Sequence, residues 1–231
     1  MTMTSLPDGF RALVIGASGG IGSAAVKVLE EDARCGEVIG LSRSGTGVDV
    51  TNEDSVAAAA AELDGEYHLL FCATGALTID DVGPEKALKQ LSPDAMMRQF
   101  ALNALGPALV LKHFAPKLAR KERSLTAFLS ARVGSIGDNH LGGWISYRAS
   151  KAALNQIIRT AAIELARTHP QSVLTALHPG TVATDLTEDY SAGRERLQPE
   201  TSARMMLDVL DGLQPRQTGE FFAYDGKRVE W

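Results

Sequence analysis

The sequence predicts an α/β fold, a doubly wound, mostly parallel sheet of about seven strands with helices on both faces. Three observations carry this. Short apolar runs alternate with stretches of helical spacing from Arg11 to Tyr224. The runs are apolar at consecutive positions rather than at every second one, as strands covered on both faces are. Turn residues close several of them, Gly16, Gly75 and Pro179-Gly180 among these. In such a sheet ligands bind beyond the carboxyl ends of the strands, and the motifs below fall there.

Taken in order, Arg11–Ile15 is a buried strand ending at Gly16, and Gly20–Asp32 is a helix with Ile21, Ala24, Ala25, Val28 and Leu29 on one side. Val38–Leu41 is a strand stopped by Ser42-Arg43-Ser44-Gly45, and a short Val48-Asp49-Val50 piece follows it. Asn52 or Asp54 opens an alanine-filled helix that runs to Leu63. Tyr67–Cys72 is a strand, and Ala76–Pro93 is an irregular connection. Pro93–Leu118 reads as one long helix, Leu125–Leu129 as a strand and Gly134–Gly143 as a loop. Ile145–Thr168 is a second long helix and Val173–Leu177 a strand, with a polar stretch over Thr184–Gln198. Pro199–Leu213 is helical and Glu220–Tyr224 is the last strand. No repeat or linker interrupts the pattern, so residues 1–231 read as a single domain.

Composition narrows the function. Of 231 residues 45% are hydrophobic, enough for a full core, and the formal charge of -5 leaves no electrostatic footprint for nucleic acid or an anionic membrane. Groups such as Lys117, Arg120, Lys121 and Arg123 read as a solvated helix end. Two cysteines, Cys35 and Cys72, make no disulfide framework and suit a reducing compartment. The first nine residues lack a signal-peptide pattern, and no run approaches about 18 apolar residues. The expectation is a cytoplasmic protein. The histidines His68, His113, His140, His169 and His178 fall at no metal-ligand spacing. His140 and Trp144 precede the second long helix and are candidates for the border of a substrate pocket.

Gly16-Ala17-Ser18-Gly19-Gly20-Ile21-Gly22 joins the first strand to the first helix. Glycines there permit a tight turn and let backbone approach a pyrophosphate, whose charge the helix N-terminus meets. Alone, such a turn is weak evidence. About 20 residues on, an NAD enzyme would carry an acid for the ribose 2′-hydroxyl. Here Ser42 and Arg43 occupy that place, a hydroxyl and a guanidinium suited to a 2′-phosphate. Tyr147 and Lys151 stand at i and i+4, sharing one helix face continued by Asn155. A tyrosine titrates near pH 10, so proton exchange at neutral pH calls for roughly 4 kcal/mol of preferential phenolate stabilisation. An adjacent ammonium and an oxidised nicotinamide are expected to supply it. Asn103 lies four residues before Pro107, which cannot donate to the Asn103 carbonyl, so the helix should distort there and free that carbonyl for a water.

With these residues the chain resembles the short-chain dehydrogenase/reductase family over nearly its whole length. The motifs run in order through Gly16, Gly20 and Gly22, Asp49, Asn103, a serine segment at Ser130, Tyr147-x-x-x-Lys151 and Pro179-Gly180-x-Val182-x-Thr184. The Tyr147–Asn155 run, Gly134-Ser135-Ile136, Pro84-Glu85-Lys86 and the Tyr224–Lys227 tail ending at Trp231 are similar to the Sniffer and C-factor group of carbonyl reductases. The resemblance implies a Rossmann-type fold, NADP(H), and hydride transfer between it and a small carbonyl or alcohol. It implies a catalytic set of Tyr147 as acid/base, Lys151 on the ribose, Ser130 and Asn103. It implies cofactor contacts from Gly16, Ser18, Gly20, Ile21, Gly22, Ser42, Arg43, Asp49, Val50, Ala73, Gly75, Tyr147, Lys151, Pro179, Gly180, Val182 and Thr184. A pocket-capping segment near 184–198 and a homodimer or homotetramer through the two long helices also follow; no metal is expected.

Departures matter as much. Ile15 replaces a usual threonine, and Cys72-Ala73-Thr74-Gly75 replaces an Asn-Asn-Ala-Gly turn, which should loosen its side-chain hydrogen bonds. Relatives place the catalytic serine three residues before the glycine matching Gly134, and that position is Ala131. Three outcomes stay open: a bulge turns Ser130 to the carbonyl, Ser135 substitutes, or the hydroxyl is dispensed with. Two rival functions also stay open. One is a dinucleotide-binding signalling protein with little turnover; the other is an S-adenosylmethionine methyltransferase, disfavoured by Ser42-Arg43 and the Tyr147/Lys151 pair.

Overall fold

The computed structural model describes residues 3–184 and 196–231. Its strands are β1 (Phe10–Ile15), β2 (Cys35–Leu41), β3 (Leu69–Cys72), β4 (Leu125–Leu129), β5 (Val173–His178) and β6 (Phe221–Ala223). They form one sheet in the order β2-β1-β3-β4-β5-β6, with every pair parallel. The chain leaves β1 in one direction for β2 and returns on the other side for β3, so the topological switch lies between β1 and β3.

Helices are α1 (Gly20–Glu30), α2 (Arg43–Thr46), α3 (Glu53–Ala61), α4 (Pro93–Phe100), α5 (Gly106–Phe114), α6 (Ile145–Leu165) and α7 (Pro199–Gly212). Each strand feeds two cores, since successive side chains point to opposite faces. Ala12 and Val14 of β1 join Val28, Leu29, Met206, Leu207 and Leu210 under α1 and α7. Leu13 and Ile15 join Val56, Val110, Phe114, Leu154 and Ile158 under α3, α5 and α6. Full burial of one such side chain stabilises the fold by roughly 1.5–3 kcal/mol. The consecutive apolar runs of the strands reflect this two-sided covering.

Two expectations are corrected. Among the described residues the sheet has six strands, because Val48-Asp49-Val50 stays outside it. Turns engage that piece's backbone: Val48 N donates to Ser42 O, Asp49 N to Ser55 Oγ, and Asp49 O accepts from Asn52 N. The helix expected over Pro93–Leu118 is not continuous. α4 passes through a π-helical turn at Ala101–Leu105 into α5, with Gly106 N donating to Ala101 O. Pro107 has no N–H, and the wider turn accommodates the missing donor. Of the two candidate caps for the alanine helix, Asn52 serves, its Oδ1 accepting from Ser55 N at 3.2 Å. The segment expected to cap the pocket lies outside the described residues from 185 to 195.

Candidate active site

At the carboxyl edge of the sheet a cavity of about 500 Å³ opens beside the switch point. Of the residues singled out in the sequence, Gly20, Ile21, Ala73, Gly75, Ser130, Tyr147, Lys151, Pro179, Gly180, Val182 and Thr184 line it. Gly16, Ser18, Gly22, Ser42, Arg43, Asp49, Val50 and Asn103 do not.

The glycine turn is shaped by what it excludes. Gly16 has φ +85°, and a Cβ on it would meet the Ala73 carbonyl carbon at 3.0 Å. A Cβ on Gly22 would lie 2.1 Å from Gly16 O, so helix and turn pack backbone to backbone. A Cβ on Gly20 would strike Thr184 Cγ2 at 2.7 Å, which brings the turn against the segment after β5. α1 has Gly19 as its N-cap, with no side-chain cap and no acid in the first turn. Its leading N–H groups and positive dipole end are left for an anion. Ser18 is exposed on this turn.

At the end of β2, buried Ser42 caps the one-turn α2 by accepting from Gly45 N at 3.0 Å, while Arg43 is exposed. Asp49 Oδ1 accepts from Thr51 Oγ1 at 2.7 Å and Thr51 N at 2.9 Å. Those bonds, with a smaller contribution from nearby Arg43, hold its carboxyl below the usual range. Val50 is buried against Gly106.

Tyr147 and Lys151 both lie buried on α6 and face the cavity. Lys151 Nζ donates to Leu129 O at 2.9 Å and sits 6.0 Å from the centroid of the Tyr147 ring. Burial pulls the Lys151 ammonium down to about 8 and pushes the Tyr147 phenol up. Of the two agents expected to lower Tyr147, the ammonium does not do so here, where desolvation governs the phenol. Gly75, at φ +140°, separates two partners: a Cβ there would be 2.8 Å from Asn103 Oδ1 and 2.9 Å from Lys151 Nζ.

Asn103 is fully buried in the π turn. Its Oδ1 accepts from Ala76 N at 3.0 Å, and its Nδ2 donates to Ala76 O at 2.9 Å and to Gln99 Oε1 at 2.6 Å. The turn after β3 is thus held from the helix side, and within it Cys72 Sγ and Thr74 Oγ1 approach to 3.3 Å. The expected loosening is offset by these bonds.

The serine segment follows β4 without a bulge. β4 pairs with β5 in regular register to Leu129, and Ser130 N donates to Leu177 O at 2.8 Å. The Ser130 hydroxyl turns toward α6 and donates to Asn155 Oδ1 at 2.6 Å. Ala131 lines the cavity beside it, whereas Ser135 does not; Ser135 Oγ accepts from Asp138 N at 3.1 Å.

The structure adds lining residues that sequence reasoning passed over or declined: Leu77, Arg132, Val133, Leu141, Arg148 and His178. Arg148 donates to Gly143 O at 2.9 Å and Gly142 O at 3.1 Å, pinning the loop before α6. Its place inside the Tyr147–Lys151 run was the available signal. Burial drives His178 down to about 4, so it is neutral at physiological pH. Trp144 is a cavity wall, its ring 6.4 Å from that of Tyr147 and edge-on to it; His140 is exposed and not in the lining. Among the described residues no His/Cys/Asp/Glu cluster could hold a metal, and no helix is long and apolar enough to cross a membrane.

Comparisons with known proteins agree with this architecture. A curated relative, 1-hydroxy-2-glutathionyl-2-methyl-3-butene dehydrogenase of Rhodococcus sp. (strain AD45), is 36% identical over 188 residues, 80% of this chain and 79% of the relative. C-signal of Myxococcus xanthus is 40% identical over 138 residues, 59% of this chain and 78% of that protein. The NADPH-bound carbonyl reductase from chicken fatty liver superposes with a TM-score of 0.84 at 24% identity, covering 98% of this chain and 95% of the other. The family model for short chain dehydrogenases matches residues 11–195. The protein belongs to the short-chain dehydrogenase family of oxidoreductases.

Proposed function

We propose that the chain catalyses the NADP(H)-dependent interconversion of a small carbonyl compound and its alcohol. One observation carries the reading: a single cavity joins the glycine turn of α1, the Pro179–Thr184 segment and the buried Tyr147 and Lys151.

The donor set fits a dinucleotide phosphate. The glycine turn ends at a helix start with no side-chain cap, which leaves N–H groups for a phosphate, and Ser42 and Arg43 at the end of β2 supply a hydroxyl and a cation. As the resemblance implies, Asp49 belongs by the adenine and Thr184 by the nicotinamide amide, with Ile21, Val50, Ala73, Gly75, Pro179, Gly180 and Val182 as further cofactor contacts. When bound, the nicotinamide supplies or accepts the hydride. Tyr147 then gives its phenolic proton to the carbonyl oxygen, or takes it back in the reverse direction. Lys151 can move its donated bond from the Leu129 carbonyl to a ribose hydroxyl, and its ammonium, 6.0 Å from the Tyr147 ring centroid, stabilises the phenolate left when Tyr147 gives up its proton. Ser130 and Asn103 support these two: Ser130 from the cavity lining, Asn103 by fastening Ala76 beside Gly75. Leu77, Val133, Leu141 and Trp144 offer the carbonyl apolar walls.

The test is NADPH titration by nicotinamide fluorescence, followed by turnover on a panel of aldehydes, ketones and quinones. Bulky alcohols belong on the panel because the Rhodococcus relative is a dehydrogenase of one. Tyr147→Phe should bind NADPH nearly as well as the native protein and lose almost all turnover, since the ring still packs but carries no exchangeable proton. Activity retained in that variant would move the acid/base role elsewhere. The likeness to C-signal favours a second reading, dinucleotide binding with little turnover, which the same two measurements separate.

Two further properties accompany the reading. Met97, Leu105 and Ile163 are exposed apolar residues on α4, the π turn and α6. They support a homodimer or homotetramer through these helices; a monomer mass by light scattering at micromolar concentration would refute it. Both thiols are unbridged, which suits the cytoplasm.

A further inference from the structure

α6 begins in an unusual way. Gly142, Gly143 and Trp144 are three consecutive residues in the left-handed region, at φ +63°, +67° and +52°. For the glycines this costs little, but for a bulky side chain it is strained and persists only where neighbours enforce it. Trp144 stands at the N-cap of α6 without a side chain able to accept from the first turn. Serine, threonine, aspartate or asparagine would ordinarily do so.

The missing acceptor arrives from 61 residues away. Glu85 is buried, and its Oε2 accepts from Ser146 N at 3.2 Å while its Oε1 accepts from the Ser146 hydroxyl. Glu85 O accepts from Trp144 N at 2.5 Å. One residue thus holds the backbone on both sides of Ile145, and the helix N-terminus meets its charge. Burial acts to raise the Glu85 carboxyl, but the bonds from Ser146 and the backbone outweigh it and keep it ionised below the usual range. On the other side Arg148 grips Gly142 O and Gly143 O. Between these two clamps Trp144 projects into the cavity lining, edge-on to the Tyr147 ring.

We infer that Glu85 is a positioning residue that sets carbonyl selectivity by locking Trp144 in its left-handed conformation as the pocket wall beside Tyr147. The inference rests on the oxidoreductase reading above, and it assigns a task to the Pro84-Glu85-Lys86 motif that the catalytic residues leave unused. Trp144 puts an indole in the cavity lining beside Tyr147, and an aromatic ring can pair with it in stacked or edge-on geometry, which favours planar, aromatic carbonyl compounds over flexible aliphatic ones.

The experiment compares kcat/KM for benzaldehyde and for hexanal in the native protein, Glu85→Ala, Glu85→Gln, Ser146→Ala, Trp144→Ala and the Glu85→Ala/Trp144→Ala double variant. Glu85→Ala should lower the aromatic-to-aliphatic ratio about tenfold, mostly through KM, with NADPH affinity unchanged. Glu85→Gln keeps an acceptor for Ser146 N and should recover part of the ratio. Glu85→Ala should change the ratio no further once Trp144 is gone. A cap that only stabilises the helix would lower the melting temperature and leave the ratio alone, which overturns the inference; so does a further drop in the Trp144→Ala background. Should Glu85→Ala fail to fold, Ser146→Ala, which removes one of the three bonds, must show the same direction. Trp144 emission in a Trp231→Phe background gives a readout without turnover: it should shift to the red in Glu85→Ala or Ser146→Ala, and an unchanged spectrum overturns the inference. A native protein inactive on every carbonyl compound, with that emission shift present, would sink the oxidoreductase reading and leave the Glu85–Trp144 coupling standing.

Discussion

The Ser130 hydroxyl donates to Asn155 Oδ1 at 2.6 Å, tying the end of β4 to the third turn of α6. Both residues are buried, and the bond spans 25 positions of sequence. A hydroxyl has one proton to give. To donate to a substrate oxygen, Ser130 must release Asn155, exchanging one hydrogen bond for another. Its net contribution to the transition state is accordingly expected to be small.

Ser130→Ala should therefore lower turnover about tenfold, close to the value of one ordinary hydrogen bond. The roughly 2–4 kcal/mol seen for a dedicated oxyanion donor is not expected. Ala131→Ser puts a hydroxyl on the neighbouring cavity-lining residue, the position where relatives carry theirs, and should raise turnover. Ser135→Ala should change little, as Ser135 is buried outside the lining. Steady-state kcat for the three variants decides the matter; a collapse confined to Ser135→Ala would transfer the role to the loop.

Arg43→Asp tests the cofactor preference. The exposed guanidinium at the end of β2 is proposed to meet a 2′-phosphate, and a carboxylate there would repel it. NADPH affinity should fall roughly tenfold or more, the lower end of a charge-assisted bond for a solvated group. NADH affinity should hold or improve. Equal affinity of the native protein for NADPH and NADH would sink the idea.

Lys151 predicts a pH dependence of stability. Burial lowers its folded-state value to about 8 from the ordinary 10.5, so between those limits the unfolded chain binds more protons than the folded one. Stability contributed at this position therefore rises as pH climbs through that window, by roughly 3 kcal/mol at most. Lys151→Met removes the effect. The unfolding free energy of the native protein minus that of Lys151→Met, measured in urea at intervals from pH 7.5 to 10.5, should increase with pH. A flat difference would show that Lys151 keeps its ordinary proton affinity.

Much is legible in the sequence, and it shares a physical character. The glycine turn, a cap at Asn52 or Asp54, the Tyr147/Lys151 spacing and the break at Pro107 depend on bond geometry and hydrogen bonds within a few residues. Such features are written in consecutive letters. The doubly covered sheet was legible too, because burial on both faces leaves consecutive apolar runs. Tertiary structure decided what depends on partners far along the chain. Val48-Asp49-Val50 has strand-like residues, yet Ser42, Asn52 and Ser55 claim its backbone, and the sheet closes with six strands among the described residues. No local pattern tells that Ser130 faces Asn155, that Glu85 supplies the cap of α6, or that Lys151 rests on the Leu129 carbonyl. Nor does it tell that burial moves Tyr147 and Lys151 in opposite directions. Desolvation and long-range hydrogen bonds are properties of the packed chain, and only packing settles which group is left facing the cavity.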